Sequence, residues 1–121
     1  MPDRDWRLRL YDIAESLDAI EGYVAGRTFE SFGEDRRTVD AVVRNLEIVG
    51  EAANALPREF RDRNLEIPWD DVRAMRNILV HAYFRVDLGI VWKTATVFGP
   101  QLLVQVRRLI GDEGGPNGNK A

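Results

Sequence analysis

Apolar residues recur at alternating spacings of three and four along most of the chain, and this spacing limits the fold more than any other feature. Residues three and four apart lie on one face of an α-helix, so each such stripe predicts an amphipathic helix. No segment alternates apolar and polar residues for long enough to indicate a strand. The first stripe is Trp6, Leu10, Ile13, Leu17, Ile20 and Val24, and the second is Val39, Val42, Leu46, Val49, Ala53 and Leu56.

Two more helices complete the predicted fold. The segment 68–71 (Pro-Trp-Asp-Asp) predicts a helix start, with Asp70 as the N-cap and Asp71 in the first turn. A fourth helix is expected from near Asp87 to Ile110, with a kink at Gly99-Pro100. Its buried face should hold Val91, Ala95, Phe98, Leu102, Val106 and Leu109. Short connectors then favour an all-α, up-and-down bundle of four main helices.

The connectors and the tail carry weaker patterns. Phe29 and Phe32 are expected to attach the connector 27–34 to the core, and Pro57 is well placed to end the second helix. Residues 58–67 are polar and predict a loop with at most one short turn. We predict one helical domain over residues 1–110 and a disordered tail over 111–121, which has no apolar anchor.

Composition excludes several classes of function. The chain has no cysteine and one histidine, which leaves few ligands for a metal site, and it has no glycine-rich loop for a nucleotide cofactor. No apolar run approaches the ~20 residues that a membrane span needs, so the expected compartment is the cytoplasm. The net charge of -3 argues against a nonspecific nucleic-acid coat, although a local basic site is compatible with it.

The segment 75–84 holds the groups best suited to chemistry. His81 is the only histidine, and imidazole exchanges protons near neutral pH. Arg76 carries a planar charged group that can grip a phosphate, and Tyr83 follows the histidine by two residues. These residue types together indicate phosphate-ester chemistry.

This Arg-x4-His-x-Tyr motif does not stand alone. It is preceded by 67–69 (Ile-Pro-Trp) and by 50–54 (Gly-Glu-Ala-Ala-Asn), and the three blocks resemble the HepT-like branch of the HEPN superfamily over about residues 5–110. The resemblance implies a helical homodimer that acts as a metal-independent endoribonuclease and leaves a 2',3'-cyclic phosphate. It also implies the toxin of a type VII toxin–antitoxin system, neutralised when an MntA-type minimal nucleotidyltransferase antitoxin attaches AMP to a motif tyrosine.

The resemblance assigns roles to individual residues. His81 would be the general base or acid, and Arg76 would stabilise charge on the phosphoryl oxygens. Asn77 would orient the imidazole or hold the phosphate, although it could equally cap a backbone turn. Tyr83 would accept AMP. Glu51 is interpreted as a structural or supporting partner of the motif, while Gly50 and the adjacent alanines are expected to permit close helix contact.

Helical geometry raises a difficulty for a single compact site. At ~100° per residue, Arg76 and His81 point about 140° apart, whereas Asn77 can reach the histidine ring. Either local unwinding near His81 or a second copy of the same helix across a two-fold axis would resolve this. The resemblance implies that the partners are a second copy, the RNA substrate (transfer RNA being one option) and a nucleotidyltransferase.

Simpler interpretations remain open. His81 could be structural, Arg76 could form a salt bridge with Asp71 or Glu51, and Tyr83 could pack at a dimer interface. Other classes of function are a noncatalytic subunit that binds a nucleotidyltransferase and a dimerisation module with a decayed motif. A basic group that could guide RNA or form an ordinary solvated loop face comprises Arg58, Arg61 and Arg63.

Overall fold

The computed structural model describes residues 5–77 and 87–113, and within these ranges the chain is helical with no strand. The predicted all-α class is therefore confirmed for the described residues. The elements are α1 (Arg7–Val24), α2 (Phe29–Glu34), α3 (Arg36–Asn54), α4 (Arg58–Asp62), α5 (Trp69–Ala74), a 3-10 turn (Met75–Asn77), α6 (Leu88–Lys93), a π-helical segment (Thr94–Phe98) and α7 (Gly99–Glu113).

The core lies where α1 packs against α3 on one side and α7 on the other. The predicted stripes supply its side chains: Ile13, Leu46 and Val106 are fully buried. Burial of an aliphatic side chain of this size contributes about 1.5–3 kcal/mol, so these interlocked stripes are the main source of stability. Helix α3 also contacts α2, α5 and the 3-10 turn, which makes it the central element.

The connector between the first two long helices is itself helical, which the sequence analysis did not predict. Gly26 has a φ of 74°, a left-handed conformation that suits glycine and turns the chain after α1. Thr28 and Ser31 then form a reciprocal capping box that starts α2. Phe32 is buried as predicted, with its ring centroid 5.1 Å from that of Trp92, but Phe29 remains 41% exposed.

The segment 58–67 also contains a short helix, α4, in place of the predicted loop with one turn. Its Phe60 is buried and tethers the segment to the core. The prediction that Asp70 caps α5 is wrong, because α5 begins one residue before it, at Trp69. The Pro68 carbonyl already accepts the Val72 N–H at 3.1 Å, so Asp70 and Asp71 both lie in the first turn.

The predicted break at Gly99-Pro100 is present as a π-helical segment. Asp87 caps α6 by accepting the Ile90 N–H at 3.1 Å. The Gly99 N–H bonds to the Thr94 carbonyl, five residues back, and a Cβ at Gly99 would lie only 3.0 Å from that oxygen. Proline has no N–H to donate to the regular α-helical hydrogen-bond pattern. The π-helical turn, which spans one residue more than an α-helical turn, therefore lies just before Pro100.

The final helix, α7, continues to Glu113, three residues beyond the predicted end at Ile110. The rest of the predicted tail lies outside the described residues. The division into a domain over 1–110 and a tail over 111–121 therefore stays a prediction. Among the described helices, none has the length and apolar character required to cross a bilayer.

We expect the start of α3 to make stability sensitive to acid. The Asp35 carboxylate accepts the Thr38 hydroxyl at 2.8 Å and the Thr38 N–H at 3.2 Å, and Arg27 lies 3.1 Å away; these contacts lower the pKa of Asp35 below its ordinary value. A lowered folded pKa stabilises the protein above the unfolded pKa of about 3.9, and the effect is lost as the pH falls through the folded pKa.

Asp35→Ala should therefore lower the urea midpoint at pH 7, and the difference from wild type should narrow below about pH 4. Urea titrations followed by far-ultraviolet circular dichroism, at pH 7 and below about pH 4, would measure the difference in midpoint. Asp112→Ala, at the exposed end of α7, serves as the control for loss of one carboxylate. A difference that is constant across this pH range would contradict the assignment.

Candidate functional site

Two residues of the predicted catalytic motif lie in the 3-10 turn that follows α5. Arg76 and Asn77 are both exposed there, directly after the buried Met75. His81 and Tyr83 lie outside the described residues, so the catalytic histidine and the AMP acceptor stay predictions. The α-helical angle used to relate Arg76 to His81 does not apply within the turn itself, because a 3-10 helix has three residues per turn.

The backbone of Arg76 rests directly on Gly50 of α3. A Cβ placed on Gly50 would lie 2.2 Å from the Arg76 nitrogen and 2.9 Å from its Cα, distances that no real side chain tolerates. Glycine is therefore required at this position by the close approach of the two backbones, not by a special φ angle. The predicted close contact is therefore confirmed at Gly50, whereas Ala52 and Ala53 are buried and their part in it stays a prediction.

Asn54, one turn further along α3, supports the same region through a side chain. Its Oδ1 accepts a hydrogen bond from Arg73 Nε at 3.1 Å, and Arg73 Nη1 also lies 3.6 Å from Asp70 Oδ1. The sequence analysis missed Arg73. Its spacing of three from Arg76 was the available signal, since residues at i and i+3 are neighbours on a helical surface.

The Ile-Pro-Trp block anchors the start of α5. Ile67 is 1% exposed and Trp69 is 5% exposed, so both side chains belong to the core. The Trp69 indole donates a hydrogen bond to the Asn64 carbonyl at 3.0 Å, and its ring centroid lies 6.3 Å from that of Phe60. With the segment before α5 held in this way, the direction in which α5 approaches α3 is fixed.

The guanidinium of Arg76 has no ion-pair partner among residues 5–77 and 87–113. The alternative pairing with Asp71 or Glu51 is absent there, and both carboxylates are exposed. Glu51 contributes a backbone carbonyl to the end of α3, but its side chain makes no hydrogen bond with the described residues. Its supporting role therefore stays a prediction.

A shallow depression of about 210 Å³ surrounds the exposed end of the turn, and it is lined by Asp70, Arg73, Ala74, Arg76 and Asn77. Two arginines and an amide are good hydrogen-bond donors to phosphate oxygens. Because Arg73 is held by Asn54 while Arg76 is unpaired among the described residues, Arg76 is the guanidinium available to an incoming anion. The depression therefore presents hydrogen-bond donors of the kind that phosphate oxygens accept, beside the Asp70 carboxylate.

The described residues hold no cluster of three carboxylate or imidazole ligands suited to a metal ion. The three arginines of the predicted basic group lie in α4 or directly after it, and they differ in their contacts. Arg58 pairs with Asp62 at 3.9 Å, and the Arg63 guanidinium lies 5.9 Å from the Phe60 ring centroid. The Arg61 guanidinium forms no hydrogen bond or ion pair with the described residues, and its Nε is buried without a partner.

Comparison with known proteins gives a consistent family. A family model described as Ribonuclease HepT-like matches residues 13–109. A protein of Thermococcus cleftensis named "Probable ribonuclease HepT" is 42% identical over 100 residues, which cover 83% of this chain and 91% of that protein.

Two further relatives are named as candidate RNases. One, from Methanocaldococcus jannaschii, is 34% identical over 119 residues and covers 98% of both chains. The other, from Caldanaerobacter subterraneus, is 41% identical over 104 residues, which cover 86% of this chain and 93% of that protein. No solved structure matched.

The contact between Gly50 and Arg76 predicts opposite effects for two glycine-to-alanine substitutions. Gly50→Ala must displace the backbone of the turn, and overpacking of this kind costs about 1–3 kcal/mol. Gly22→Ala, in α1, places its Cβ in open space, with no atom within 4 Å, and should gain up to about 1 kcal/mol from helix propensity.

Urea unfolding of the two variants beside wild type measures this difference. We expect Gly50→Ala to be less stable than wild type and Gly22→Ala to be equally or more stable. If Gly50→Ala were as stable as Gly22→Ala, the turn would not be confined by the backbone of α3.

Proposed function

Because this chain belongs to the HepT-like ribonuclease family, we propose that it is an endoribonuclease whose active site is built around the turn at Arg76. The observation that carries the proposal is the exposed Arg76, held by a backbone contact with Gly50 and unpaired among the described residues. An arginine fixed at its backbone and open at its guanidinium is suited to stabilise charge on a phosphoryl group. The names of the relatives support the same enzyme class.

The proposed reaction is attack by the ribose 2'-hydroxyl on the adjacent phosphorus. His81 acts as general base and takes the hydroxyl proton as the new P–O bond forms. The bond to the 5'-oxygen breaks, and that oxygen receives a proton from a general acid, for which a second His81 from a partner subunit is the candidate. The products are a 2',3'-cyclic phosphate and a 5'-hydroxyl. The nucleophile belongs to the RNA, so this step does not require a metal-bound water.

A homodimer would place two copies of the motif at one cleft. An apolar depression of about 300 Å³ supports this part of the proposal, because it involves the residues that immediately precede Arg76 and is lined by Asp71, Ala74, Met75, Ile90, Thr94 and Phe98. Ile90, one of several exposed large apolar side chains, is 59% exposed beside this depression and would pack against a partner subunit there. A two-fold axis beside this surface would supply two histidines and two arginines from one sequence.

His81→Ala should lower RNA cleavage by at least about 100-fold, because general acid–base catalysis typically contributes that much or more. The assay would incubate purified protein with RNA and analyse the new 3' ends for cyclic phosphate. Circular dichroism and size-exclusion chromatography would check that the variant keeps its helical content and assembly. Cleavage at the wild-type rate by the folded variant would contradict the assignment of His81.

We further propose that the chain is the toxin of a toxin–antitoxin pair, in the cytoplasm, with transfer RNA as one candidate target. Its antitoxin would be a minimal nucleotidyltransferase that attaches AMP to Tyr83. Modification two residues from His81 would add bulk and negative charge beside the proposed cleft, which would repel the RNA backbone. The support is the family resemblance of the motif.

Tyr83→Phe should remain an active ribonuclease but resist neutralisation. A phenol is a poor base near neutral pH, so the loss of its hydroxyl should change the cleavage rate little. Intact-mass measurement after incubation with the cognate nucleotidyltransferase and ATP should show added AMP on wild type and none on the variant. Added AMP on Tyr83→Phe would assign the acceptor to another residue.

A second candidate function is a noncatalytic subunit that binds a nucleotidyltransferase. The acidic balance, with a net charge of -3, favours this alternative because it opposes the approach of RNA. Induced expression of the chain in a host cell distinguishes the ribonuclease toxin from the noncatalytic subunit. Growth arrest with new cyclic-phosphate ends in wild type but not in His81→Ala supports the toxin, whereas soluble wild-type protein with neither effect supports the noncatalytic subunit.

A further inference from the structure

A groove of about 740 Å³ lies between α4 and the start of α5, next to the proposed active site. Arg58, Arg61 and Leu65 line its α4 side, while Asp70 and Arg73 line its α5 side. Asp70 and Arg73 also line the depression that contains Arg76. The two concave surfaces are therefore adjacent, with Asp70 and Arg73 between them.

The three arginines of the groove differ in their electrostatic environment. Arg58 lies 3.9 Å from Asp62, and Arg73 is held by Asn54 at 3.1 Å and lies 3.6 Å from Asp70. Arg61 has no such partner. Its side chain is partly buried, and its guanidinium forms neither a hydrogen bond nor an ion pair within residues 5–77 and 87–113.

An unpartnered, partly buried guanidinium is poised for an anionic acceptor. A buried N–H group without a hydrogen bond carries a desolvation cost that an acceptor removes. Arg61 would give up no hydrogen bond or ion pair with the described residues when it turns toward such an acceptor. Phosphate is well matched to it, because the arginine fork binds two phosphate oxygens at once.

The remaining side chains of the groove distinguish between kinds of phosphate. Asp62, Asp70 and Asp71 also line it, and they would repel the doubly charged terminal phosphate of a mononucleotide. A phosphodiester carries only one negative charge and spreads its contacts along the chain. Leu65, which is 73% exposed at the groove, offers an apolar surface to a neighbouring base. These features favour a single-stranded polynucleotide over a compact nucleotide.

We propose that this groove binds the phosphodiester backbone of the RNA on one side of the cleaved bond, with Arg61 as its main anchor. The proposal rests on the proposed ribonuclease function for the identity of the ligand. In this proposal, Arg61 contacts the RNA at a phosphate other than the reacting one. Arg61 is therefore a binding residue and not a catalytic one.

The test measures RNA binding by the natural chain with an oligonucleotide that it cannot cut. The probe is a fluorescent single strand of about 12 nucleotides, within the ~4–16 nucleotide range of single-strand sites, with 2'-O-methyl groups that block the nucleophile. Fluorescence anisotropy over a series of salt concentrations gives the dissociation constant and its salt dependence. Wild type is compared with Arg61→Gln, Arg61→Lys and Arg37→Gln.

Arg37→Gln is the matched control, because it removes one exposed arginine charge near the first turn of α3, roughly 20 Å along that helix from Gly50. We expect Arg61→Gln to weaken binding about tenfold and to lower the salt slope by about 0.7, as for loss of one phosphate contact with a single strand. Arg61→Lys should keep most of the salt slope but lose affinity. Arg37→Gln should change affinity less than about twofold.

Cleavage of a dinucleotide, which is too short to occupy both surfaces, separates this proposal from the proposed function. Arg61→Gln should lose a larger fraction of kcat/KM on a longer RNA than on the dinucleotide, whereas Arg37→Gln should keep the wild-type kcat/KM on both. If wild type failed to cleave any RNA, the proposed ribonuclease mechanism would be wrong. The anisotropy comparison would still test whether the groove binds RNA. Equal effects of Arg61→Gln and Arg37→Gln on binding, or no effect of either, would overturn the role of the groove.

Discussion

The approach of α3 to the turn at Arg76 is the constraint on which the rest of the site depends. Two backbones meet at Gly50 with less space than a methyl group requires. Helix α3 is itself held in position by α1, which packs against it to form the core. The position of Arg76 is therefore set by the central helix of the protein, and its side chain is free to face outward.

The sequence blocks 50–54 and 67–69 have distinct structural roles around this contact. Gly50 of α3 lies against the backbone of the turn, and Asn54 of α3 binds the side chain of Arg73 in the preceding helix α5. Ile67 and Trp69 bury themselves in the core and fix where α5 begins. Blocks that are separate in sequence thus serve one purpose, which is to hold an exposed arginine in place.

The distribution of charge leaves local positive charge on a protein that is acidic overall. The chain is acidic overall, and most of its ion pairs join exposed neighbours on the surface, where they contribute little to stability. Arg61 and Arg76 form no ion pair with the described residues, a property that they share with Arg37, Arg63 and Arg108, and each of the two lines a concave surface. An acidic protein that binds a polyanion must do so through local positive charge, and these two arginines lie along adjoining concave surfaces.

The amino-acid sequence was sufficient to predict the helical class, the apolar stripes of α1 and α3, and the interruption before Pro100. These follow from local periodicity and from the missing N–H of proline, which act within a few residues of the chain. It also identified Gly50 and Arg76 as notable positions. It could not show that they touch, because a contact between residues 26 positions apart depends on how whole helices pack.

The remaining features depend on contacts between residues that are distant in sequence. The short helices α2 and α4 have too few residues to show a period, and they are stabilised by Phe32 and Phe60, whose burial depends on partners distant in sequence. The start of α5 was misplaced because Trp69, once buried, brings the first helical hydrogen bond forward to Pro68. The difference between Arg58, Arg61 and Arg73 likewise arises from which acceptors lie within reach in three dimensions, and charge order along a chain does not specify that.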